Sequence, residues 1–267
     1  FFTGAELPAL RDRIATLYQA EFQGFIDLLN DTTKLTAGQK AIENDWGSLN
    51  YAFIAALDPQ EMKTRGFVFA NPALQTPQDY CNKSVGYAKT FLTSISSATS
   101  QGHGDLATGY PSAMYVPVLT TYDWCYSLLS DTDKTSIVNA FISAYSVKYK
   151  GMNPLTIKIS GLDMLANNQA SADIHDILGI AAFYNDPFIT SAVQAEMYDF
   201  FENIWLNRVL VELNYFYKHG TGWHEGSGGY INEGFVNLGI PLAMISSALG
   251  NDYIAATPHF FNYPHWG

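Results

Sequence analysis

The sequence predicts an all-α protein built from antiparallel helix pairs, and three observations predict it. Apolar residues step by three and four along most of the chain, the spacing that lines one face of a helix. Start and stop signals bracket these runs, with Ser, Thr or Asp before them and Pro, Gly or Asn after them. No segment shows the alternation of a half-buried strand, and the β-branched residues are scattered. Most connections between the predicted helices are short, which makes successive helices antiparallel neighbours. A solenoid of helix pairs and a closed ring of them both satisfy this pattern, and the lack of a fixed sequence period weakens the repeat solenoid.

Leu7, Leu10, Ile14 and Leu17, then Phe22, Phe25 and Leu29, predict the first helical face, with Thr3-Gly4-Ala5-Glu6 as a capping box before it. Trp46, Leu49, Phe53, Ile54 and Leu57 mark a second helix, with Pro59 beyond its end. Thr76-Pro77-Gln78-Asp79 is a third start, with a cap, a proline at the first helical position and an acid in the first turn. Tyr80, Tyr87, Phe91 and Ile95 follow it. After a Gly-rich loop from Gln101 to Tyr110, a fourth helix carries Tyr115, Val118, Leu119, Tyr122, Tyr126 and Leu129. Ser130-Asp131-Thr132-Asp133 starts a fifth, with Ile137, Ala140, Phe141, Ala144 and Tyr145. Residues 151–170 are loop-like. Ile174, Ile177, Leu178 and Ala181 mark a sixth helix, stopped by Asn185-Asp186-Pro187. Val193, Met197, Phe200, Ile204 and Trp205 belong to a seventh that runs towards Tyr217 and is broken by the Gly-rich stretch from Gly220 to Gly229. Phe235, Leu238, Leu242 and Ile245 make an eighth, and an aromatic, proline-rich tail follows from Thr257 to Gly267. No Pro/Ser-rich linker divides the chain, so residues 1–267 read as one domain.

Composition bounds the functional classes. A chain of 267 residues, 48% hydrophobic and 15% charged, buries a sizeable core and is not disordered. Its formal net charge of −11 and lack of any basic cluster argue against nucleic-acid binding. A polyanion would need a local site of cations and hydrogen-bond donors. No apolar run reaches the roughly 18 residues that span a membrane. Cys81 and Cys125 form no CxxC pair, so a zinc or thioredoxin-like site is not indicated; one disulfide and two buried thiols both remain open. The start, Phe1-Phe2-Thr3-Gly4, carries no signal peptide and is expected to be a mature or trimmed end. Tyr and Trp, 17 and 5 in number, exceed what a core alone needs and are compatible with a sugar-stacking groove.

Three loop-to-helix junctions hold unusual polar residues. The first is Asn167-Asn168-Gln169 leading to Asp173-Ile174-His175-Asp176. The second is Trp223-His224-Glu225-Gly226-Ser227-Gly228-Gly229-Tyr230, and the third is Gly102-His103-Gly104-Asp105 running to Tyr110-Pro111. Each has a plain structural explanation. Asn and Asp satisfy the free amides at a helix start, a lone histidine on an apolar helix is commonly a core residue, and glycines make turns.

Taken together, the junctions resemble a known family. YDWCYSLLSDTDK (Tyr122 to Lys134) resembles a stretch of the heparinase II/III-like polysaccharide lyases. NNQASADIHDILGIAAFYN (Asn167 to Asn185) resembles the Asn-Asn-His segment of that superfamily and of related alginate lyases, and GWHEGSGGY (Gly222 to Tyr230) resembles their Glu-Gly-Ser…Tyr segment. The three occur in the family's order, and ELPALRDRI near the start fits as well.

The resemblance implies an incomplete (α/α) toroid followed by a β-sandwich domain, with uronic-acid polymers bound between them. It implies β-elimination, in which donors neutralise the uronate carboxylate, a base removes the C5 proton and an acid protonates the leaving O4. Tyr230 falls on the family's catalytic tyrosine and Asn168 on its carboxylate-neutralising asparagine. Gln169 stands where the family often has histidine, which puts the usual base in doubt. His175 is the expected replacement, 55 positions before Tyr230, a spacing similar to that of some members. Asn167, His224, Glu225, Tyr110 and Trp223 are the expected substrate-binding residues, Glu225 more as a loop-fixing carboxylate than a catalyst. Tyr115 and Trp124 are further groove candidates, with core packing the plainer account of Trp124. No cofactor is expected for the helical domain. Family members supply a further histidine, and in some cases a structural metal, from the β-sandwich, which this chain ends before reaching. The implied partners are an acidic polysaccharide, with alginate first, and a C-terminal β-sandwich, with neither nucleic acid nor membrane. The implied location is secreted or periplasmic. Two other classes compete: an (α/α)-barrel glycoside hydrolase, for which Asp123, Asp173, Asp176 and Glu225 are available carboxylates, and a non-catalytic carbohydrate-binding helical domain.

Overall fold

The computed structural model describes residues 3–34, 37–99, 115–150, 179, 181–183, 185–209, 211, 243–248, 250–253 and 255. Among them helices predominate and no strand occurs, as an all-α chain requires. The chain divides into two compact units, one of residues 2–97 with 117–141, the other of residue 1, 98–116 and 142–267.

In the first unit, the apolar face expected to run from Leu7 to Leu29 is split into α1 (Leu7–Leu17) and α2 (Gln19–Asn30). The split falls at Tyr18, whose backbone leaves the helical region at φ −132° and ψ 25°. The reason lies in the spacing. From Leu17 to Phe22 the apolar step is five, which would carry the stripe about 140° round an unbroken helix. Breaking at Tyr18 brings Ile14, Phe22, Ile26 and Leu29 into the core and leaves Leu17 and Tyr18 exposed. The expected capping box also sits one turn early. The Glu6 carboxylate accepts from the Thr3 amide (2.7 Å) and hydroxyl (3.0 Å), pinning the turn before α1, while Glu6 itself holds the cap position.

Helix α3 (Ala37–Leu57) begins well before the predicted Trp46. It ends at Asp58, where φ is +58°. The Asp58 carboxylate accepts from the Gln60 amide (2.9 Å) and so caps α4 (Pro59–Thr64). Pro59 therefore stops one helix and opens the next, because a first-turn proline loses no intrahelical hydrogen bond. Arg11 donates to the Leu57 carbonyl at 2.8 Å, satisfying an acceptor that the end of α3 leaves open. Helix α5 (Pro77–Thr99) starts as predicted. Asp79 accepts from the Thr76 amide (2.9 Å) and hydroxyl (2.8 Å) and from the Gln75 amide (3.1 Å), and these bonds hold its carboxyl below the ordinary value. Helix α6 (Tyr115–Cys125) gives way to a 3-10 turn, Tyr126–Leu128, and α7 (Asp131–Lys150) begins after the Ser130 cap.

The core of this unit is aromatic and tightly keyed. Phe22 meets Phe53 and Phe67 edge-on, at ring-centroid distances of 6.1 and 5.4 Å. Tyr51 and Tyr80 are fully buried, and each spends its hydroxyl on a partner: Tyr51 donates to the Leu29 carbonyl and Tyr80 to Asn30 Oδ1, both at 3.0 Å. Burial pushes the Tyr80 phenol up to about 12. Cys81 of α5 and Cys125 of α6, both buried, are joined in a disulfide, which decides the question that spacing left open. Beside it, buried Ser84 and Thr121 share a hydrogen bond of 2.7 Å, with the Ser48 carbonyl 2.6 Å from Ser84 and the Pro117 carbonyl 2.8 Å from Thr121. Two hydroxyl protons face three contacts. Thr121 donating to Ser84 while Ser84 donates to Ser48 uses both protons on the shortest two.

In the second unit, residues 181–183 are helical and the chain turns at Asn185 (φ +58°), before Pro187, as the sequence predicts. Asp186 accepts from the Phe188 amide at 2.8 Å and tightens that turn. Helix α8 (Ser191–Asp199) passes directly into a π-helix, Phe200–Val209, within the predicted seventh helix. Residues 243–248 are helical, within the predicted eighth.

Candidate functional site

Of the three segments that carry the family resemblance, Tyr122 to Lys134 lies wholly within the described residues, at the junction of α6 and α7. Its side chains are committed to structure. Tyr122 is buried and meets Tyr126 edge-on at 5.5 Å. Trp124 is half-buried against Phe53 at 5.8 Å, as core packing requires. Cys125 carries the disulfide, and Leu129 is buried. Ser130 donates to Asp133 at 2.6 Å and accepts from its amide at 3.1 Å, a reciprocal cap. Asp133 also pairs with Lys89 of α5, and Lys134 lies 4.0 Å above the Tyr126 ring. The Lys89 and Ser130 hydrogen bonds hold the Asp133 carboxyl below its ordinary value.

Asp123 is one of the residues of this segment that face water. Its surface is exposed, yet the protein around it raises its carboxyl above the ordinary value. Desolvation by the surrounding protein is the main cause of that rise. A glycoside hydrolase would need a second carboxylate flanking the bond. The other carboxylates proposed for that role, Asp173, Asp176 and Glu225, lie outside the described residues.

Tyr230, His175, Asn168 and Gln169, expected to be catalytic, also lie outside the described residues. So do Asn167, His224, Glu225, Tyr110 and Trp223, expected to bind substrate. Among the described residues, no group of three His, Cys, Asp or Glu side chains is placed to hold a metal ion. None of the described helices is long and apolar enough to cross a membrane. What the described residues contribute is a frame: α5, α6 and α7, tied by the disulfide, the Ser84–Thr121 bond and the Lys89–Asp133 pair.

Comparison with protein-family models, with curated proteins and with solved structures finds no match for this chain.

Proposed function

We propose that this chain is the helical part of a polysaccharide lyase that cleaves a uronic-acid polymer by β-elimination, alginate being the first substrate to try. The ordered set of segments carries the proposal, above all Asn167-Asn168-Gln169 and His175 followed by Glu225 and Tyr230. In this scheme the Asn168 amide donates to the uronate carboxylate, which makes the C5 proton easier to remove. His175 takes that proton, with Gln169 beside the carboxylate in place of the family's histidine. Tyr230 donates its phenolic proton to the leaving O4, a role that asks for placement rather than a shifted pKa. Asn167, His224, Glu225, Tyr110 and Trp223 hold the sugar on either side.

Two facts support it from the described residues. Among the described residues helices predominate and no strand occurs, as an (α/α) toroid needs. The disulfide fits the oxidising compartments in which secreted and periplasmic enzymes fold. A count of 14 Lys plus Arg fits a carboxylate polymer better than a heavily sulfated one. In the proposed assembly a C-terminal β-sandwich packs on the helical part and completes the cleft.

The test is to incubate the protein with alginate, heparan sulfate, chondroitin and a neutral glucan, following the ultraviolet absorbance of an unsaturated uronate. A rise on an acidic polymer is expected, with a loss of at least about a hundredfold in Tyr230→Phe, the scale of a general acid's contribution. New reducing ends without unsaturation would move the assignment to a hydrolase. Binding without either product would make it a carbohydrate-binding domain.

A further inference from the structure

Helix α1 keeps one flank uncovered. Of Leu7, Leu10, Ile14 and Leu17, only Ile14 is buried; Leu7 and Leu10 are half-buried and Leu17 is 66% exposed. Beside Ile14, the residues Glu6, Leu10, Arg13 and Leu17 follow one another in steps of four, three and four. That spacing places them within about 60° of one another round the helix, a stripe about three turns long.

The charges on this stripe are unspent. Arg13 is exposed and, among the described residues, meets no hydrogen-bond acceptor, carboxylate or ring. The other lysines and arginines whose side chains are described are all engaged. Arg11 donates to the Leu57 carbonyl, Lys63 to Gln75, and Arg65 to Asp12 and Glu61. Lys89 pairs with Asp133, and Lys83 and Lys134 lie over the Tyr87 and Tyr126 rings. Glu6 is exposed as well. Its Oε2 accepts from the Thr3 amide and hydroxyl, which fixes the carboxylate and leaves Oε1 without a partner among the described residues. Glu6 and Arg13 stand about 10 Å apart along the axis and about 20° apart round it.

Such a helix is complementary to itself when reversed. Laid antiparallel about a twofold axis beside Ala9 and Leu10, a second copy sets the Arg13 of each chain against the Glu6 of the other, an isologous contact. Exposed Ala9 at the centre is short enough for close approach. Leu17 reaches the Thr3–Gly4 turn of the second copy, where a Cβ on Gly4 would meet nothing within 4 Å. Each copy carries a net charge of −11, so copies repel except where a free cation meets a carboxylate.

We propose that α1 is a self-association surface, on which two copies of the chain pair antiparallel through Leu10 and Leu17 with reciprocal Arg13–Glu6 ion pairs. One helix from each copy buries little area, so the dimer is weak and concentration-dependent.

Sedimentation velocity of the full chain over a concentration series is expected to show a reversible shift from monomer to dimer. Arg13→Glu should abolish the shift, because it sets carboxylate against carboxylate, and Glu6→Arg should abolish it too. Mixing the two variants should restore it, since each offers the charge that the other lacks. Glu6→Arg also removes the Thr3 bonds, so a second measurement leaves that turn intact. Both native cysteines are paired, and Ala9→Cys therefore adds a single free thiol. Under mild oxidation it should link two copies, whereas Gly24→Cys, in open space on α2, should not. A chain that stays monomeric across the series, a dimer indifferent to Arg13→Glu, a mixture that stays monomeric, or a dimer that Ala9→Cys does not link would overturn the proposal. A monomer that binds a uronate polymer and loses it in Arg13→Glu would overturn it in favour of a glycan on the same stripe.

Discussion

Gly47 sits inside α3, where helix propensity alone would favour alanine by about 1 kcal/mol. Its neighbour decides otherwise. A Cβ at this position would lie 3.0–3.1 Å from three atoms of the Tyr87 ring, and that ring is stacked on buried Tyr51 at 5.5 Å and so cannot slide away freely. Overpacking in such a site costs about 1–3 kcal/mol, enough to cancel the propensity gain and reverse its sign. Gly47→Ala is therefore expected to lower the urea midpoint, whereas Gly86→Ala, which meets open space, is expected to raise it. Measuring both by chemical denaturation sets packing against propensity directly. A stabilised Gly47→Ala would mean that α3 and α5 are not in this close contact. The same scale accounts for what sequence could not show about the cysteines. Pairing is a matter of three-dimensional distance, and the 44-residue separation of Cys81 and Cys125 carries no information about it.

At the scale of elements, the capping carboxylates make a pH-dependent contribution. Asp79 is held below its ordinary value by the Thr76 hydroxyl first and then by the Gln75 and Thr76 amides, and Asp133 by Lys89 first and then by Ser130. A carboxyl depressed in the folded state adds stability that is present above its unfolded pKa, about 3.9 for Asp, and lost as pH falls through the folded value. The loss therefore belongs to the acid limb, below about pH 4. Asp79→Asn and Asp133→Asn are expected to lower stability at pH 7 and to flatten its fall between pH 5 and the acid transition, read by denaturant unfolding at stepped pH. An acid limb as steep in the double variant as in the parent would show that these caps do not titrate with folding. These are also the elements that the sequence made most legible. Thr76-Pro77-Gln78-Asp79 and Ser130 to Asp133 announce helix starts because cap chemistry is local. The break at Tyr18 was written in a five-residue step that a face drawn from Leu7 to Leu29 passes over. The π-helix Phe200–Val209 carries no such local mark, since neither Pro nor Gly interrupts it. The residues proposed as functional rest on a third kind of signal. Tyr230, His175 and Asn168 stand in polar stretches of the sequence, so only the resemblance and its order along the chain suggests roles for them, and in Tyr122 to Lys134 the same kind of likeness marks a structural joint.

At the scale of the whole molecule, the chain leaves its first unit after residue 97 and returns at 117, so that α5 and α6 are neighbours across an excursion. Among the described residues the return is held by the disulfide, the Ser84–Thr121 bond, the Lys89–Asp133 pair, and the Gln78 side chain donating to the Leu128 carbonyl at 3.1 Å. The covalent one dominates. Closing a loop of this length removes about 4 kcal/mol of unfolded-state entropy in the chain model, against about 1 kcal/mol net for a neutral hydrogen bond. Natural domains are commonly stable by only about 5–15 kcal/mol, so the staple is a large share of the margin. The double variant Cys81→Ala/Cys125→Ala is expected to lose about 2–4 kcal/mol in denaturant unfolding. The parent unfolded in the presence of reductant should fall to the same midpoint, because both experiments restore the same entropy to the unfolded chain. A variant as stable as the oxidised parent would mean that residues 117–141 are held in place by packing alone. A variant that loses the margin while the reduced parent keeps it would locate the effect in the two cavities left by the sulfur atoms rather than in the cross-link.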